Sequence, residues 1–168
     1  MLQHSKSYLC FAVFLVAGAT SLLAQVQPWS TSGAWDILVD PEVGNGCYME
    51  KRFDDGLSIQ FGAEPKRSGG FVAAYNPAWT FIEQGRTTTV RFEFPDVIFE
   101  GEATGDIRNG VPGGRAFFDN PNLPFEFAKR RTITIAGQNV GLIEVSLDGS
   151  FAAITEVRAC QKKQPPPT

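Results

Sequence analysis

Cys47-Tyr48-Met49-Glu50-Lys51-Arg52-Phe53, then Asp54-Asp55-Gly56, then Leu57-Ser58-Ile59-Gln60-Phe61: this stretch decides how the chain folds. Asp-Gly flanked by alternating apolar residues is a strong hairpin signal, because glycine supplies the positive φ that a tight turn needs. Cys47, Met49 and Phe53 share one face of the first arm, and Leu57, Ile59 and Phe61 share one face of the second. Tyr48, Glu50, Arg52, Ser58 and Gln60 take the other side. The pattern predicts an antiparallel pair with one buried face.

Working outward, Ala34 to Val39 predicts a strand with Trp35, Ile37 and Val39 on one face, preceded by a polar, partly extended lead-in over residues 25–33. Residues 40–46 form a turn-rich loop. Phe71 to Tyr75, Thr87 to Phe94 and Val97 to Ala103 predict further short strands, and the glycines and proline of residues 106–114 predict a loop. Asn122 to Arg131 predicts a short helix entered through Pro124. Thr132 to Ala136 and Val140 to Leu147 form a second hairpin across Gly137-Gln138-Asn139. Ala153, Val157 and Cys160 recur at helical spacing, so Phe151 to Gln161 predicts a C-terminal helix with Ser150 as its N-cap. Residues 162–168, with three consecutive prolines, predict a disordered tail. The fold class expected is α+β: a mainly antiparallel, sandwich-like β domain over residues 25–161 with a short helix and a C-terminal helix.

Residues 1–24 carry a weakly basic start, an apolar core and small residues up to Ala24, the order of a secretory signal. Cleavage after Ala24 is expected, with Ala17-Gly18-Ala19 as an earlier site. An uncleaved anchor is disfavoured by Gly18, Thr20 and Ser21 in a segment at the short limit of a membrane span. Cys10 lies inside the apolar run, where a lipid-attached cysteine does not. The expected location is periplasmic or secreted, with no stable membrane insertion after cleavage.

Removal of residues 1–24 leaves 144 residues, with 14 basic against 18 acidic side chains and a net charge of −4. No concentrated basic face is present, which argues against nucleic acid as a partner. The one histidine, His4, leaves with the signal. Its loss removes Ser/His and Cys/His nucleophile pairs and the usual zinc sites. No cofactor, metal site or catalytic residue is expected.

Two cysteines remain, Cys47 and Cys160. In an oxidising compartment their spacing reads as a structural disulfide rather than a redox couple, which more often takes the form Cys-x-x-Cys. Glu93, Glu100 and Glu102 fall on adjacent strands, where two carboxylates can act as acid and base, although the solvated face of a sheet is the favoured reading. Asp40, Glu42 and Asn45 offer oxygen ligands, but their spacing departs from a calcium loop. Phe92, Phe94, Phe99 and Trp35 read as core. Trp79, beside Asn76-Pro77, and Phe117-Phe118, after a glycine-rich loop, are the candidates for a recognition surface. Lys129-Arg130-Arg131 reads as a solvated helix end.

Gly46-Cys47-Tyr48-Met49 after a tryptophan-bearing strand, Asn76-Pro77-Ala78-Trp79 at mid-chain, and Leu147-Asp148-Gly149-Ser150 leading to Cys160 together resemble small exported bacterial proteins of unknown function. More distantly, the chain is similar to the invasion-associated locus B family, although it lacks additional cysteines of that pattern. The resemblance implies an exported β-rich domain and carries no binding residue with it. The function expected is non-enzymatic binding of another protein or an envelope component. The alternatives are an inhibitor of a secreted hydrolase and a carboxylate-based hydrolase acting on envelope sugars.

Overall fold

The computed structural model describes residues 25–167, so the signal expected over residues 1–24 lies outside the described residues. The 47–61 hairpin forms in the expected register. β3 (Gly46–Arg52) pairs with β4 (Ser58–Glu64), and Met49 stands opposite Phe61. Gly56 takes φ 85°, and the turn closes through Phe53 N–H to the Leu57 carbonyl at 2.8 Å. The strands before it are β1 (Gln27–Ser32) and β2 (Trp35–Asp40). After it come β5 (Gly69–Tyr75), β6 (Thr87–Glu93), β7 (Ile98–Arg108), β8 (Val111–Phe118), helix α1 (Leu123–Ala128), β9 (Thr132–Gly137), β10 (Gly141–Ser146) and helix α2 (Ser150–Lys163).

All ten strands belong to one antiparallel sheet, ordered β1-β2-β3-β4-β5-β8-β7-β6-β9-β10. The sheet curls tightly. β3 and β10 are seven strands apart, about 34 Å in a flat sheet, yet Lys51 Nζ on β3 donates to the Ser146 carbonyl on β10 at 3.3 Å. The Trp35 indole N–H likewise reaches the Asp148 carbonyl at 3.0 Å. Curling places both halves of the sheet around one apolar core, with Trp35, Ile37, Met49, Phe61, Phe92 and Ile133 buried in it. Phe127 of α1 is its hub, with ring centroids 4.9–6.3 Å from Phe61, Phe92, Phe94, Phe99 and Phe118.

Two segments read as irregular from sequence are strands. The polar lead-in is a strand: β1 pairs with β2 across Gly33, which takes φ 61°. It carries no apolar alternation because it is an edge strand with most of its residues exposed. The expected loop at residues 106–114 is a continuous hairpin, β7 to β8, turning at Asn109-Gly110, both at positive φ. Gly113, by contrast, serves packing: a Cβ there would collide with the Tyr75 ring.

The C-terminal helix runs two residues beyond Gln161, and Gly149 rather than Ser150 is its N-cap. The Ser150 hydroxyl instead donates to the Ala128 carbonyl at 2.8 Å, fastening α2 to α1. The Cys47–Cys160 disulfide joins β3 to α2 with a Cα separation of 6.1 Å. Beside it, Cys47 N–H donates to Gln161 Oε1 at 2.8 Å, and Gln161 Nε2 donates to the Asn45 carbonyl.

The other face of the central strands is also buried, contrary to the half-buried pair expected. Tyr48, Phe71, Ala73 and Tyr75 form a second cluster there, and Glu50, Gln60 and Glu64 are buried with it. Arginines make this tolerable, since a buried charge needs a partner. Arg115 lies 3.4 Å from the Phe71 ring and reaches Glu64 at 3.0 Å. Arg108 stands over Tyr48 and pairs with the buried Asp40. Among the described residues no helix is long and apolar enough to cross a membrane.

Candidate functional site

The helices cover only part of the first face. α2 packs on β1 to β4, and α1 packs on β4 and β5. Beyond β5 the cover is residues 76–86. Asn76 starts this loop as an Asx turn, its Oδ1 accepting from Ala78 N–H at 2.9 Å and its carbonyl from Trp79 N–H at 3.0 Å. The far end is clipped to β7: Gly85 N–H donates to the Gly105 carbonyl and Gly105 N–H to the Arg86 carbonyl, both at 2.8 Å. Close approach here needs glycine, because a Cβ at Gly105 would run into the Glu83 carbonyl.

The loop does not fill the space beneath it. The floor comes from small inward-facing residues on β5, β8 and β7, chiefly Ala74, Gly114, Ala116 and Ala103. Trp79, Ile82, Val90, Ile135 and Ile143 form the walls of an open, mostly apolar cavity of about 120 Å³. Protein interiors are otherwise close-packed, and a dry apolar cavity of about 150 Å³ accepts benzene. This one suits a single apolar group of similar size. Its mouth is polar: Glu83 and Arg86 pair at 3.4 Å, and Thr88 and Gln138 meet at 3.4 Å. Phe81, 44% exposed, is a lining residue beside them.

Of the recognition residues expected from sequence, Trp79 lines this cavity. Phe118 instead turns inward, edge-on to Phe92 at 5.9 Å. Its neighbour Phe117 takes the opposite face, with the Arg67 guanidinium 3.4 Å from its ring. The structure therefore does not bring the three aromatics together. The small-residue floor, spread over three strands distant in sequence, has no local motif to announce it.

Glu93, Glu100 and Glu102 share the outer face of the adjacent strands β6 and β7, with Glu93 half-buried and the other two exposed. Glu93 pairs with Arg91, whose guanidinium is held more firmly protonated by the hydrogen bond and charge of Glu93, with Glu100 adding to it. Glu102 lines a shallow polar groove of about 680 Å³ with Asp106, Arg67 and Arg115. The Tyr75 hydroxyl donates to Asp106 there at 2.7 Å, and burial together with that bond raises the Tyr75 pKa. Burial pushes Tyr48 up to about 12. Asp40, the first of the loop oxygens considered for a cation, accepts from Glu42 N–H and pairs with Arg108, so both its oxygens are engaged.

No protein-family model and no curated protein matches the chain. Among solved structures it is similar to invasion-associated protein B from Bartonella henselae, with a TM-score of 0.51 and 16% sequence identity, over 80% of this chain and 98% of that one. At this identity the likeness bears on the fold alone. It agrees with the distant resemblance carried by residues 46–49, 76–79 and 147–160: the chain is a disulfide-linked antiparallel sheet domain similar in fold to invasion-associated protein B.

Proposed function

We propose that the protein is a non-enzymatic periplasmic or secreted binding protein that grips an apolar group, presented by another protein or an envelope component, in the Trp79 cavity. The observation that carries this reading is the cavity itself: an open apolar hollow with a polar mouth at the border of the buried core. The disulfide fits an oxidising compartment. Catalysis has less support. Glu93 is neutralised by Arg91, and in the polar groove Asp106 is tied to Tyr75 and Arg115 to Glu64.

The test uses a filled cavity. A Cβ at Gly114 meets Ala103 Cβ at 3.8 Å and the Thr104 carbonyl at 3.9 Å, ordinary contacts, so Gly114→Leu adds its side chain to the hollow without a backbone clash. Affinity capture from the envelope fraction should recover a partner with the wild type and lose it with Gly114→Leu. Recovery of the same partner by both, or of none by the wild type, would overturn the reading.

A further inference from the structure

The two edges of the sheet are built differently. β1 carries Pro28, breaks register between Pro28 and Ser30, and has α2 packed against it, with Lys163 Nζ 5.5 Å from the Trp29 ring centroid. Proline, irregular register and a covering helix are the devices that keep an edge from pairing. β10 has none of them. It pairs with β9 alone among the described residues, in unbroken register, and its sequence Gly-Leu-Ile-Glu-Val-Ser contains no proline or lysine. Leu142 is 74% exposed.

The orientation of its free backbone groups follows from one bond. Leu147 N–H donates inward to the Arg131 carbonyl at 2.7 Å, continuing the β9–β10 register. Backbone groups alternate sides along a strand, so Leu142, Glu144 and Ser146 turn their N–H and C=O outward. Lys51 already occupies the Ser146 carbonyl. Among the described residues, Leu142 and Glu144 are left with unpaired donors and acceptors. Between them Ile143 points to the first face, where it lines the Trp79 cavity.

We infer that β10 is a docking edge that accepts an extended segment of a partner protein as an eleventh strand; this rests on the binding reading above and narrows the partner to a polypeptide. The added strand hydrogen-bonds to the main chain of Leu142 and Glu144. Residues directly opposite in a sheet share a face, so the segment carries an apolar side chain beside Ile143 at the cavity wall. On the other face it carries an apolar residue beside Leu142 and a basic one beside Glu144. A second copy of this chain fits poorly, because β10 holds no cation to set against Glu144.

The test is selection of random linear nonapeptides displayed against the disulfide-intact protein. Selected sequences should alternate with period two and hold Lys or Arg at one fixed position, and Glu144→Lys should switch that position to Asp or Glu. Because the Glu144 N–H faces outward, Glu144→Pro removes an edge donor without breaking the β9 ladder. It should weaken the best peptide at least tenfold, and Leu142→Lys should do the same if the proline variant fails to fold. Peptides without alternation, or equally bound by both edge variants, overturn the inference, as does a wild-type dimer that Glu144→Pro dissociates. Peptides indifferent to the edge variants but lost with Gly114→Leu would overturn the edge and keep the cavity; indifference to all three would overturn both.

Discussion

Reduction of the Cys47–Cys160 bridge should cost about 5 kcal/mol without changing the native fold. The two residues are 113 apart in sequence, and the chain-entropy model assigns about 4.7 kcal/mol to a 100-residue loop, rising only logarithmically beyond it. Domains of this size are stable by about 5–15 kcal/mol, so the bridge supplies a third or more of the total. With a urea slope of about 2 kcal/mol per molar, the unfolding midpoint should fall by about 2.5 M. Reduction removes no heavy atoms, whereas Cys47→Ala with Cys160→Ala also deletes two fully buried sulfurs and should cost somewhat more. The assay is urea unfolding with and without reductant, followed by near-ultraviolet circular dichroism, for which the buried Trp35 is a native reporter. A constraint on the unfolded chain predicts an unchanged native spectrum and a larger slope after reduction, because the released chain exposes more surface. Midpoints within about 0.5 M of each other, or a lost native spectrum, would show that the bridge does not act by constraining the unfolded chain.

Other consequences follow from particular contacts. Phe127→Ala should cost about 3–5 kcal/mol by thermal or urea unfolding, since the ring is fully buried among five phenylalanines; a cost below 1 kcal/mol would contradict its place as the core hub. In a chain cleaved after Ala24, Tyr48 and Tyr75 are the only tyrosines, and burial raises both. Their neutral forms stabilise the fold fully below the ordinary phenol pKa of about 10, and that stability is lost as pH rises through the higher folded values. Phenolate absorbance should therefore stay low near pH 10 and rise only with alkaline unfolding; half-ionisation at pH 10 would contradict the buried cluster. Gly105→Ala should detach residues 76–86 and make that loop the first site of limited proteolysis, while unchanged resistance would mean that the close approach of the Glu83 carbonyl to Gly105 is not needed to hold the clip.

The hairpin at residues 47–61 was legible because its turn chemistry and its apolar alternation point to the same pairing, and Cys160 was legible from helical spacing and from the export expected of residues 1–24. β1 was not, because an edge strand faces water on most sides and has no reason to alternate. β8 was obscured by glycines that read as loop, although Asn109-Gly110 is itself a hairpin signal and Gly113 answers to the Tyr75 ring across the sheet. The second buried face escaped because arginines lying over aromatic rings bury polar residues that alternation assigns to solvent. Trp79 was marked by its loop, but the cavity behind it depends on small residues that only the strand pairing assembles.

The claim that the Trp79 cavity is where a partner binds is tested most directly by photo-crosslinking in the native envelope. A photoreactive phenylalanine analogue replaces Phe81, at the cavity, or Phe151, 61% exposed on α2 and outside the lining. A discrete adduct is expected from position 81, lost when Gly114→Leu fills the hollow, and none from position 151. An adduct from position 81 that survives the filled cavity, or no adduct there at all, would contradict the account.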